Sequence, residues 1–145
     1  MNNQLIIVRG IPGSGKSSFC RKTFPNLFHI ENDMYHYHNN DYQFSTIKQK
    51  DAIEWCTDMV TLALKKGMDC VVSNTFTKKR FVDNYVNIGK MFECDIKVYR
   101  MMGNFKNEHD VPEDVFNNMK NNFEDYPGEI FVYPNNFNYE MKEKI

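Results

Sequence analysis

The chain has 145 residues, 41% hydrophobic and 26% charged, enough to bury one sizeable core but not comfortably two. Eighteen basic against nineteen acidic side chains leave a formal charge of −1. That excludes a general nucleic-acid coater and leaves room only for a local basic patch. The longest aliphatic run, Leu5-Ile6-Ile7-Val8, is far too short to span a bilayer, and nothing around it resembles a signal peptide, so no membrane partner is expected.

In chain order, short β-rich runs alternate with longer segments of helical period, the pattern of a parallel α/β sheet. Gln4–Arg9 reads as a fully buried strand. Lys16–Phe24 reads as a helix ended by Pro25, and Leu27–Ile30 as a short second strand. From Ser45 to Lys66 the apolar positions Ile53, Cys56, Val60, Ala63 and Leu64 recur at helical spacing, with Gly67 placed as a C-cap. Asp69–Ser73 is a third strand, and Lys78–Lys90 a helix with Phe81, Tyr85 and Ile88 on one face. Cys94–Arg100 is a fourth strand. Pro112 is suited to a first helical position, with Phe116, Met119 and Phe123 facing inward. Glu129–Tyr133 is a candidate fifth strand. The division is a domain over 1–133 and an Asn-rich tail over 134–145, which composition leaves unassigned and partly disordered.

Four cysteines, Cys20, Cys56, Cys70 and Cys94, form no CxxC pair and no zinc spacing. Their apolar neighbours predict reduced, buried thiols in a cytoplasmic protein. His29, His36 and His38 have no regular ligand spacing either, so no metal cage is expected of them.

The strongest chemical signal is Gly10-Ile11-Pro12-Gly13-Ser14-Gly15-Lys16-Ser17, a complete G-x-x-x-x-G-K-S between a strand and a helix. Chance assembly in a chain of this composition is on the order of 0.002. Gly13 and Gly15 permit a sharp turn that aims successive N–H groups at one anion, and the helix N-terminus adds partial positive charge. Lys16 can reach the β- and γ-phosphates of ATP, Ser17 can ligate Mg²⁺, and Ser18 completes the cradle. No N-K-x-D guanine motif is present, and the third strand ends Ser73-Asn74 with no acid. A small phosphotransferase of the nucleotide-kinase type remains.

Such an enzyme needs a group that orients and deprotonates the attacking hydroxyl beside the γ-phosphate. Asp33, three residues past the second strand, is the best candidate; an N-cap aspartate is the competing reading, and both can hold together. Lys78-Lys79-Arg80 reads equally as a grip on acceptor phosphates and as a solvated helix face. The 12 Phe, 8 Tyr and 1 Trp read as packing before base stacking.

The segment Val8–Ser17 resembles the opening of the phage polynucleotide kinase family and its zeta-toxin-like and AAA_33-type P-loop relatives. Asn32-Asp33-Met34-Tyr35 resembles their N/S-x-D-x-Y/F segment, which carries the general base. Trp55-Cys56 is similar to an aromatic-Cys pair in the same helix. Val72-Ser73-Asn74-Thr75-Phe76-Thr77 resembles the acceptor loop V-D-N-T-N-T, and Lys106-Asn107-Glu108-His109-Asp110-Val111-Pro112 the lid R-N-x-H-x-V-P. The resemblance covers most of residues 4–126, in order.

It implies a single three-layer P-loop NTPase domain with a five-stranded parallel sheet in the order 2-3-1-4-5. It also implies an ATP- and Mg²⁺-dependent kinase, most simply for a polynucleotide 5′-hydroxyl, with a nucleic-acid or nucleotide acceptor. By that resemblance the acceptor side comprises His36, Ser73, Asn74 and Thr75, the lid Lys106 and His109, and the catalytic set Asp33, Lys16 and Lys106. The chain departs from the family in three places. His36 stands where relatives carry arginine, Ser73 or Asn74 replaces the loop aspartate, and Lys106 replaces the lid arginine, losing its planar fork. Two other readings therefore stand: an ATP-binding interaction protein without transfer activity, and a kinase for a small metabolite. A phage-encoded protein acting in the host cytoplasm is the setting the resemblance suggests.

Overall fold

Leu5, Ile6, Ile7 and Val8 are all buried, and alternate side chains leave the backbone on opposite faces. Strand β1 (Gln4–Arg9) is thus covered on both sides and sits inside the sheet. The computed structural model describes residues 2–38, 41–42, 46–103, 112–136 and 138–143, with backbone alone at 36–38, 41–42 and 46–48. β2 (Phe28–Ile30) follows helix α1 (Lys16–Thr23), and a 3-10 turn (Asn32–His36) leads into a two-residue hairpin, β3 (Tyr37–His38) and β4 (Asp41–Tyr42). Next come α2 (Thr46–Lys65), β5 (Cys70–Asn74), α3 (Lys79–Met91), β6 (Asp95–Met101) and α4 (Glu113–Asn121). The described chain closes with β7 (Ile130–Asn135) and β8 (Asn138–Glu143).

The main sheet runs β2-β5-β1-β6-β7-β8, and its first five strands are parallel. They are the five expected strands in the expected order. The sheet differs by a sixth strand: β8, drawn from the Asn-rich tail, pairs antiparallel with β7 from Ile130↔Glu143 to Asn135↔Asn138. Its Tyr139 ring meets Phe19 of α1 edge-on at 4.9 Å, so this part of the tail belongs to the packed domain.

Two cores give the three layers. Leu5, Ile7, Cys70, Val72 and Val98 face α2 and α3, where Cys56, Val60, Leu64, Val82 and Tyr85 lie. Ile6, Val8, Val71, Tyr99 and Val132 face Phe19 and Cys20 of α1. Cys20, Cys56 and Cys70 are free and buried in the core as expected, whereas Cys94 is free but only half-buried, against the expectation of four buried thiols. Burial pushes the Cys20 and Cys70 thiols up to about 12. Among the described residues no helix is long and apolar enough to cross a membrane.

Two helix faces are rotated from the sequence expectation. In α2 the buried set begins at Ala52, while Ile53 is 49% exposed. In α3 the buried positions are Val82, Tyr85 and Gly89, and Phe81 is exposed. A Cβ on Gly89 would meet Ile96 at 2.7 Å and Leu5 at 2.9 Å, so this is where α3 comes closest to the sheet. Gly67 (φ 78) ends α2 as expected: its N–H donates to Leu64 O and that of Met68 to Ala63 O, a Schellman closure. Pro112 precedes α4 rather than opening it, and no residue of α4 is fully buried.

Candidate active site

The parallel register brings Arg9, Ile30, Asn74 and Met101 to one carboxyl edge, where an α/β sheet presents its site. The phosphate loop springs from β1 at that edge. Gly13 (φ 78) and Gly15 (φ 92) take the left-handed turns that a nest of inward amides needs. Gly10 is pressed against Ser14 and Met101, 3.1 Å from Met101 Cβ for any side chain placed there. Helix α1 starts at Lys16, so its N-terminus faces the loop. Lys16 Nζ donates to Gly10 O and Ile11 O, both at 3.1 Å, folded over its own loop. Desolvation there lowers the ammonium to about 8, against the opposing pull of the Asp33 and Glu31 carboxylates.

Asp33 is the second residue of the 3-10 turn and sits near enough to act electrostatically on Lys16. The turn is held from the neighbouring strand: Asn74 Oδ1 accepts Asn32 N–H at 2.7 Å, and Asn74 Nδ2 donates to Cys56 Sγ at 3.7 Å. Tyr35 and Trp55 pack with ring centroids 5.8 Å apart, joining the turn to α2.

Glu31, which the sequence motifs do not single out, follows β2, the outermost strand at this edge. Ser17 Oγ donates to its Oε2 at 2.8 Å, with Oε1 at 3.1 Å, and Ser73 Oγ donates to Oε2 at 2.7 Å. His29 Nε2 is 3.1 Å from Ser73 Oγ and 3.6 Å from Glu31 Oε2. Burial alone would raise the carboxyl, but hydrogen bonds from His29, Ser73 and Ser17 outweigh it and bring it to about 2. The available signal was an acid two residues before Asp33 at a strand end. Recognising it required the side-chain contacts that bring Ser17 and Ser73 to its carboxylate.

The expected acceptor residues divide accordingly. Ser73 and Asn74 are buried and committed to Glu31 and the Asp33 turn, while half-buried Thr75 accepts Gly10 N–H through its carbonyl at 3.3 Å. Only the backbone of His36 is described, and Lys106 and His109 lie outside the described residues. Lys78 occupies the N-cap position of α3, whose first residues Lys79 and Arg80 are exposed; Lys79 N–H is capped by Glu124 Oε1 at 2.7 Å.

Beneath the loops lies a buried ion pair that motif spacing does not announce. Arg9 Nη1 meets Glu129 Oε1 at 2.9 Å, both side chains fully buried. Arg9 also donates to Phe76 O through Nε (3.2 Å) and Nη2 (2.6 Å), holding Phe76 at a left-handed φ of 46. Burial lowers the Arg9 guanidinium from its ordinary value, and Glu129 opposes that shift. Phe123 packs against both Arg9 and Arg100, its ring centre 4.3 and 4.5 Å from the two guanidinium carbons.

The family model AAA_33, an AAA domain, matches residues 5–126. The chain belongs to the AAA_33 family. The AAA_33 match ends before β7, so the β7–β8 hairpin lies beyond it. A protein of Pasteurella multocida (strain Pm70), called uncharacterized protein PM0531, is 28% identical over 148 residues, covering 90% of this chain and 83% of its own.

Among solved structures, a chain of the Pnkp1/Rnl/Hen1 RNA repair complex superposes with a TM-score of 0.65 at 17% identity. The match takes in 84% of this chain but 44% of that one, so this chain spans less than half its length. A sugar kinase from Janibacter sp. HTCC2649 superposes with a TM-score of 0.62 at 14% identity, over 91% of this chain and 84% of its own. At these identities the likeness is one of fold. The fold of this AAA_33 protein is that of P-loop kinases.

Proposed function

We propose that this AAA_33 protein is an ATP-dependent kinase that phosphorylates an alcohol group, with a polynucleotide 5′-hydroxyl as the favoured acceptor. The observation that carries the reading is Asp33, held by Asn74 through Asn32 at the edge where Lys16 and the phosphate loop lie. Support for the acceptor class comes from the order of the sequence motifs and from the RNA repair complex among the similar structures.

The left-handed glycines, the α1 N-terminus and Lys16 form a cradle for the β- and γ-phosphates. Phosphate oxygens replace Gly10 O and Ile11 O as partners of Lys16, and their negative charge favours its protonated form. Ser17 offers a hard hydroxyl oxygen, a donor type that suits Mg²⁺. When bound, that cation neutralises charge on the β- and γ-phosphates. The acceptor oxygen attacks the γ-phosphorus in line, a new P–O bond forms, and the bond to the bridging oxygen of ADP breaks. Asp33 orients the hydroxyl and takes its proton.

The test offers the protein γ-labelled ATP with Mg²⁺ and, in turn, 5′-hydroxyl DNA, 5′-hydroxyl RNA, nucleosides, nucleoside monophosphates and small sugars. Label on an oligonucleotide 5′ end is the expected result. Label only on a monomer overturns the polynucleotide assignment and keeps the kinase. Bound ATP with no labelled product from any acceptor overturns the kinase.

A further inference from the structure

P-loop enzymes commonly hold Mg²⁺ between the loop Ser/Thr and an acid on a neighbouring strand. In this chain β5, which lies beside β1, ends Ser73-Asn74, and neither residue is an acid. We infer that Glu31, at the end of β2, is the carboxylate of the Mg²⁺ site, acting on the cation through Ser17 and through metal-bound water. The inference rests on the ATP-binding part of the function proposed above.

The Ser17 hydroxyl has one proton and two lone pairs. Its proton is directed to Glu31 at 2.8 Å, so the lone pairs are left for a cation at the phosphate loop. Glu31 is itself held in place: Ser73 donates to Oε2 at 2.7 Å, and His29 backs that pair. Among the described residues Oε1 carries only the longer Ser17 contact of 3.1 Å, which leaves it able to accept from a water. Mg²⁺ usually keeps several waters and needs only one or two carboxylates beside the nucleotide phosphates. One hydroxyl and one fixed carboxylate meet that need.

The bland alternative is that Glu31 merely ties β2, β5 and α1 together. The two readings differ in how ATP affinity depends on Mg²⁺. Affinity for a fluorescent ATP analogue is measured in excess Mg²⁺ and in EDTA, for wild type, Glu31→Gln and Glu31→Asp. Wild type should bind more tightly with Mg²⁺. Glu31→Gln should lose that tightening by about tenfold, the scale of outer-shell metal partners. In EDTA it should bind as well as wild type or better, because a negative charge beside the phosphates is gone. Glu31→Asp, which keeps the charge, should retain most of the tightening. Mn²⁺ titrated into the protein with a non-hydrolysable ATP analogue and followed by electron paramagnetic resonance gives an independent readout, with weaker Mn²⁺ binding expected in Glu31→Gln.

Full tightening in a folded Glu31→Gln variant overturns the assignment. So does an equal loss in Mg²⁺ and in EDTA, the mark of a purely structural knot; the kinase reading survives both. Failure of wild type to bind ATP in either medium overturns the inference together with the function it rests on.

Discussion

Asn74 holds the turn that carries Asp33: its Oδ1 accepts Asn32 N–H and its Nδ2 donates to Cys56 Sγ. Asn74→Ala should cost about 1–3 kcal/mol of stability, the usual result of orphaning polar groups in a protein interior. It should also lower kcat more than it weakens ATP binding; denaturant unfolding and nucleotide titration separate the two, and an unchanged kcat would remove Asn74 from the positioning role. The phosphate loop was legible in the sequence because all its parts are local: the glycines, Lys16 and Ser17 occupy eight consecutive positions. Glu31 was not, because its meaning comes from Ser17 fourteen residues away and Ser73 forty-two away. Sequence likeness could align Ser73 and Asn74 with an acceptor loop, but only the register turns their side chains inward.

Strands were more readable than helix faces. A buried parallel strand announces itself as a short apolar run, and all five such runs stand in the sheet. A helix with apolar residues at adjacent positions admits two faces about 100° apart. Packing decided for Ala52 over Ile53, and Gly89 drew Val82 inward in place of Phe81. The tail was opaque for another reason: mostly exposed β8 has almost no apolar pattern and is strand because β7 offers it an edge. The Arg9–Glu129 pair ties β1 to the start of β7 and, through Phe76 O, to the loop after β5. Glu129→Ala leaves the Arg9 charge buried without its partner and should cost about 3–5 kcal/mol in urea unfolding. Replacing both, as Arg9→Met with Glu129→Leu, should recover much of that loss; a cost under about 1 kcal/mol for Glu129→Ala would mean that Arg9 finds other compensation.

The molecule as a whole is nearly neutral, so attraction to a polynucleotide has to be local. Lys79 and Arg80 are exposed at the start of α3, and on the function proposed above they would meet acceptor phosphates. If they do, KM for an oligonucleotide should rise steeply with salt while KM for a nucleoside barely moves. Parallel slopes for the two acceptors would turn the assignment toward a small substrate. The phosphate loop, Glu31 and Asp33 share one carboxyl edge, the arrangement a phosphotransferase needs. The central claim is that Asp33 serves the acceptor and not the nucleotide. Its most direct test compares wild type with Asp33→Asn in γ-phosphate transfer to a 5′-hydroxyl oligonucleotide, with ATP affinity measured alongside. Transfer should fall by roughly 10²-fold or more while ATP affinity stays nearly unchanged. Equal transfer by the two proteins would contradict the account and remove Asp33 from the mechanism.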